Sequence, residues 1–164
     1  MKKRALHVGI NNYPPPIPTL RGCIPDAKNW CSLLTGIYEF DNPIVLLDAM
    51  ATSTNIHNNL LRLIKSSESG DVLVWTFSGH GTSVANLRPD KPDGRAEAIV
   101  AYDGLMYDWQ IREIMQTVPS GVHLTVISDS CHSGTITRLV RLEHHLYNDR
   151  VQMRYLPQIG RAHV

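Results

Sequence analysis

The chain has 164 residues, a formal net charge of +1 and 43% hydrophobic residues. This fits one globular domain with a real core and excludes a disordered chain. The near-neutral charge gives no electrostatic reason to bind nucleic acid or an anionic membrane, and no apolar run approaches the ~20 residues of a membrane span.

Met1-Lys2-Lys3-Arg4 is basic like the start of a signal peptide, but the apolar run behind it is short and meets Asn11-Asn12 and Pro14-Pro15-Pro16. It reads as a first strand over 5–11. Residues 12–22 form a Pro-rich loop. Pro25 stands where helices start, and Ala27, Trp30, Cys31 and Leu34 recur at helical spacing, predicting a helix over 25–35. A strand follows over 43–47. Thr52-Ser53-Thr54 offer N-caps to a second helix with Ile56, Leu60, Leu63 and Ile64 on its apolar face. Gly70-Asp71 turns into a strand over 72–78 that is apolar on both faces, as a central parallel strand is.

Residues 79–95 read as one long polar loop, expected to be mobile from 83 onward. A short strand is predicted over 98–102. Asp108 can cap a third helix carrying Ile111, Ile114, Met115 and Val118, ended by Pro119-Ser120-Gly121. A last strand covers 122–129. Strands alternating with helices predict an α/β domain with a mostly parallel central sheet flanked by helices. Past Gly134 the periodicity weakens and no further strand–helix pair is predicted. Residues 1–134 therefore read as one folded domain and 135–164 as a partly mobile tail. The sheet is expected to need a second piece to complete it.

Ligands bind outside the carboxyl ends of strands in open parallel sheets. One such end, 75-WTFSGHGT-82, delivers His80; another, 126-VISDSCHSG-134, delivers Cys131. A thiol becomes a potent nucleophile as thiolate, and a nearby imidazole can remove its proton and later protonate a leaving amine. The backbone N–H groups of Gly81 and Cys131 are candidates for holding an oxyanion. Asp129 sits two residues before Cys131 and would raise the thiol's pKa, so it needs another purpose. Pairing with a basic substrate group supplies one. Singly these signals are weak, since a lone cysteine at a strand end usually packs and a histidine beside glycine usually turns. Cys23 and Cys31 read as structural. His132, His144 and His145 beside Cys131 match no zinc spacing, so no metal or other cofactor is expected. Three cysteines without framework spacing argue for a reducing compartment, hence a cytoplasmic protein.

At these residues the chain resembles the caspase-like cysteine peptidases of metacaspase type and their bacterial relatives, the orthocaspases. The matching segments run in family order: 5-ALHVGIN-11, 20-LRGCIPDA-27, 43-PIVLLDA-49, 71-DVLVWTFSGHGT-82 and 124-LTVISDSCHSGT-135. The resemblance implies a three-layer caspase-like fold, a His80–Cys131 dyad and endopeptidase cleavage after Arg or Lys. It implies a pocket for that basic side chain formed by Cys23, Asp26, Ser78 and Asp129. It covers only the large catalytic subunit, with 154-RYLP-157 resembling the linker to a small one, so a small subunit is an expected partner beside the peptide substrate. Many members need calcium. Here Ala96 stands where one acidic ligand is expected, Tyr107-Asp108 replaces an Asp pair and Arg138 replaces another Asp. Calcium independence is therefore expected, as in several bacterial relatives. Two other readings compete: a caspase-fold module that binds a partner without cutting, and a thiol hydrolase acting on non-peptide acyl groups, which would leave the acidic pocket unexplained.

Overall fold

A computed structural model describes residues 1–85, 95–130 and 151–153. The first strand, β1 (Lys3–Gly9), leads through the Pro-rich loop into helix α1 (Cys23–Gly36). Strand β2 (Ile44–Leu47), a 3-10 turn (Asp48–Met50) and helix α2 (Ser53–Lys65) follow. The central strand β3 is Val72–Ser78. Next come β4 (Gly81–Ala85), β5 (Arg95–Ala101), β6 (Gly104–Tyr107), α3 (Asp108–Met115), β7 (His123–Asp129) and β8 (Val151–Met153).

The main sheet runs β2-β1-β3-β7-β8 with every pairing parallel. Because side chains alternate along a strand, each strand feeds both faces. Leu73, Trp75 and Phe77 of β3 join Leu6, Val8, Leu124 and Val126 in the larger core, shared with Ile56, Leu60 and Ile64 of α2 and Ile111 and Ile114 of α3. Val74 and Ile127 face the other way, into a smaller cluster with Ala5, Leu34 and Phe40, against which Trp30 of α1 packs. Burial on both faces explains why these strands read as unbroken apolar runs.

Gly9 fixes how α1 meets the sheet. A side chain there would strike the Cys23 carbonyl oxygen and come within 2.9 Å of the Ala27 Cβ. The missing side chain therefore lets the first turn of α1 rest on the carboxyl end of β1. That turn is capped from outside: Asn11 Oδ1 accepts from the N–H groups of Cys23 (2.9 Å) and Ile24 (3.3 Å). Thr52 caps α2 through the Asn55 N–H, as expected.

Two expectations are corrected. The polar stretch 79–95 is not one loop: β4 and the start of β5 lie within it, and with β6 they form a separate antiparallel sheet ordered β4-β5-β6. The strand predicted over 98–102 is the apolar half of β5; β4, β6 and the start of β5 mix small, polar and charged residues, so no apolar run announces them. Asp108 is the first residue of α3 and not its cap; Tyr107 precedes it, and its N–H donates to Gln110 Oε1 (2.8 Å). The tail contributes the short strand β8, whose Leu124↔Val151 pairing extends the parallel sheet beyond β7. The expected mobility of 83–95 and 140–164 concerns stretches that lie largely outside the described residues, as does the linker-like 154–157.

Candidate active site

The register of the main sheet builds the site. Gly9 lies opposite Ser78, and Ser78 opposite Asp129, at the carboxyl ends of three adjacent strands. Alternation points Ser78 and Asp129 to the face covered by α1. There the first turns of the helix bring Cys23 and Asp26 over them. Ser78 Oγ donates to Asp26 Oδ2 at 3.1 Å. A cleft of about 110 Å³ opens between α1, β3 and β7, lined by Asp26, Trp30, Thr76, Ser78, Ile127 and Asp129 among others. Its electrostatics are acidic. Partial burial pushes the Asp129 carboxyl above its ordinary range, and the charge of Asp26 pushes it further. Burial also pushes the Cys23 thiol up; the Ser78 hydrogen bond offsets part of this, while Asp26 and Asp129 add to it. Cys23 is thus a neutral thiol at neutral pH and a poor nucleophile.

His80 follows β3 by two residues and stands half-buried beside the cleft. Its Nε2 lies 2.8 Å from the Pro18 carbonyl oxygen. A carbonyl only accepts, so Nε2 carries a proton, which leaves Nδ1 as the nitrogen free to take up another. The Tyr13 ring sits 5.0 Å from the imidazole at 50°, and the His80 N–H donates to the Tyr13 hydroxyl at 3.0 Å. Burial raises the Tyr13 phenol, keeping it protonated and able to donate to the Val100 carbonyl at 3.0 Å. Gly81 opens β4 opposite Ile99.

The structure therefore brings together Cys23, Asp26, Ser78 and Asp129, with His80 alongside. Cys131 lies outside the described residues; its neighbour Ser130 is buried at the end of β7. Sequence reasoning assigned Trp30 to the core alone, yet it also lines the cleft, four residues and one helical turn from Asp26. Tyr13 and Asn11 were not singled out; the backbone groups they hold lie 67 and 87 residues away for Tyr13 and 12 and 13 away for Asn11, which no spacing rule reveals.

The residues aligned with calcium ligands do not fit the ion. Ala96 is buried and offers no oxygen. Asp108 is buried, its Oδ1 accepting from the Trp109 N–H, and Arg112 brings a cation one turn along the same helix. Glu97, next to Ala96, has a buried Oε2 without a hydrogen-bond partner. Among the described residues no group of three or more His, Cys, Asp or Glu side chains is placed to hold a metal, whereas calcium takes six to eight oxygens. Arg138 lies outside the described residues.

A family model for the metacaspase, peptidase C14 domain matches residues 3–140. Metacaspase-4 of Arabidopsis thaliana is 42% identical over 143 residues, covering 82% of this chain and 34% of its own length. Metacaspase-8 of the same plant is 40% identical over 151 residues, covering 86% and 39%. Metacaspase-1 of the fungus Botryotinia fuckeliana is 38% identical over 147 residues, covering 82% and 35%. The crystal structure of protein GSU0716 from Geobacter sulfurreducens superposes with a TM-score of 0.73 at 27% identity, over 93% of this chain and 58% of that one. The chain thus spans between a third and two fifths of the length of these curated relatives.

Proposed function

From a chain that belongs to the metacaspase, peptidase C14, family, we propose a cysteine endopeptidase that cleaves after Arg or Lys through His80 and Cys131, without calcium. The observation that carries this reading is the acidic cleft. Asp26, Ser78 and Asp129 converge at the strand ends, beside a histidine whose Nε2 is tied to Pro18. A guanidinium or ammonium group entering the cleft finds two carboxylates and a hydroxyl, a set suited to charge-assisted hydrogen bonds.

In the mechanism, a basic side chain anchored by Asp26 and Asp129 lays its carbonyl across the rim. His80 Nδ1 takes the proton of the Cys131 thiol, and the thiolate attacks the carbonyl carbon. The N–H groups of Gly81 and Cys131 receive the developing oxyanion. The imidazolium returns its proton to the leaving amine as the C–N bond breaks. Water, deprotonated by the same imidazole, then hydrolyses the thioester. Cys23 contributes to the pocket wall as an uncharged thiol.

The test is hydrolysis of fluorogenic peptides ending in Arg, Lys or Asp, with and without chelator, against Cys131→Ala. Cleavage after Arg or Lys that survives the chelator and disappears in Cys131→Ala is expected. Cleavage after Asp, or loss of activity with chelator, would overturn the assignment. A second reading is a caspase-fold module that needs a small subunit or partner and does not cut alone. It predicts no turnover until that subunit is added. A cytoplasmic setting goes with either reading; among the described residues no helix is long and apolar enough to cross a membrane.

A further inference from the structure

We infer that Tyr13 is a positioning residue for His80, acting as a hydroxyl wedge that diverts the histidine out of the β4–β5 ladder and onto the cleft rim. This rests on the reading of His80 as the proton-transfer group.

The register supplies the argument. Gly81 pairs with Ile99 across β4 and β5, so His80 stands opposite Val100. Directly opposed residues of an antiparallel pair that share hydrogen bonds exchange two of them. One is present: the Val100 N–H donates to the His80 carbonyl at 2.9 Å. The other is opened. The His80 N–H donates to the Tyr13 hydroxyl at 3.0 Å, and that hydroxyl donates to the Val100 carbonyl at 3.0 Å. One oxygen thus stands between donor and acceptor, satisfies both and holds the strands apart at this point.

The surroundings fit a wedge and not a chance contact. Tyr13 is buried. A side chain at Gly79 would come within 2.6 Å of the Tyr13 hydroxyl and 2.9 Å of the Phe77 ring, so the glycine before His80 makes room for it. The Tyr13 ring also lies against the imidazole, and the same loop supplies the Pro18 carbonyl to Nε2. One loop thus holds the backbone, ring and protonated nitrogen of His80. Without the hydroxyl, the His80 N–H can close directly onto Val100, drawing the residue toward β5 and away from Pro18.

The experiment is Tyr13→Phe in the full chain, which deletes one oxygen. Hydrolysis of an Arg peptide would be separated into kcat and KM, and the tautomer of His80 read from its imidazole nitrogens by NMR. An ångström-scale displacement of a catalytic group lowers rate by roughly 100-fold. We expect kcat to fall about 10- to 100-fold with KM within about two-fold, and His80 to lose its Nε2-protonated signature. Gly79→Ala, which crowds the hydroxyl while keeping it, is expected to lower kcat in the same way. Unchanged kcat in Tyr13→Phe, a loss confined to KM, or an unchanged His80 tautomer overturns the inference. Absence of hydrolysis by the parent chain counts against the peptidase reading instead, and the tautomer measurement then still decides the role of Tyr13.

Discussion

Asp26→Asn removes one negative charge from the cleft and little else. The amide keeps an oxygen to accept from Ser78 Oγ, now at 3.1 Å from the carboxylate, and nearly the same volume. A hydrogen bond to a charged group contributes about 1.5–3 kcal/mol, or roughly 10- to 150-fold in an equilibrium at 1.4 kcal/mol per decade. Because Asp129 remains to pair with the substrate cation, the loss should sit in the lower part of that range, about 10- to 30-fold in kcat/KM for Arg peptides. A peptide with citrulline in place of Arg has the same shape without the charge and should lose almost nothing. A second signature follows from the charge coupling. Asp129 binds a cation only when ionised, and its carboxyl is raised first by burial and then by Asp26. Cation affinity is therefore lost as pH falls through a value above the ordinary carboxylate range. Removing Asp26 lowers that value, so the acid limb of kcat/KM should move to lower pH. Equal losses on Arg and citrulline peptides, or an acid limb that moves upward, would refute the two-carboxylate pocket.

Asp129→Asn leaves Asp26 as the one carboxylate of the cleft, so it should weaken the preference for Arg yet raise the melting temperature at neutral pH. A raised carboxyl pKa means that folding disfavours the ionised form, a penalty present above the folded pKa and relieved by acid or by the amide; the gap between variant and parent should narrow near pH 3. His7 is fully buried, with Nδ1 2.9 Å from Thr76 Oγ1, and burial lowers its pKa from 6.5 to about 4. Its stabilising contribution is complete above pH 6.5 and is lost as pH falls toward 4, by about 3 kcal/mol at 1.36 kcal/mol per unit; denaturant midpoints at pH 7 and 4.5 should show this slope, and His7→Val should flatten it. Gly9→Ala should push α1 off the sheet, costing about 1–3 kcal/mol for overpacking and lowering Arg-peptide kcat/KM through the displaced Asp26, which thermal melts and kinetics would read separately. Asn11→Ala removes the cap of α1 and should cost about 1 kcal/mol, measured by chemical denaturation.

The elements that were legible in the sequence are those whose burial is one-sided in the helices or complete in the strands. β3 was bounded correctly at both ends because Val72–Ser78 is buried on two faces and follows a Gly-Asp turn. β5 was read only in its apolar half, as the strand predicted over 98–102, while β4 and β6 were missed because their short Ser- and Gly-containing stretches give neither an apolar run nor a strict alternation. The same division runs through the site. His80 and Asp129 were readable as strand-end residues, since the rule for open parallel sheets needs only the strands. Asp26 and Ser78 are 52 residues apart, and only the resemblance joined them. Their meeting depends on Gly9, whose missing side chain lets α1 settle onto the end of β1. Tyr13 was invisible for a related reason: it satisfies two distant backbone groups, the His80 N–H just before β4 and the Val100 C=O in β5, and backbone partners leave no mark in residue type. The strand ends thus announce where chemistry is placed. The close approaches that aim it, a helix seated on a glycine and a hydroxyl set between two strands, belong to the packing and become readable only once the sheets are assembled.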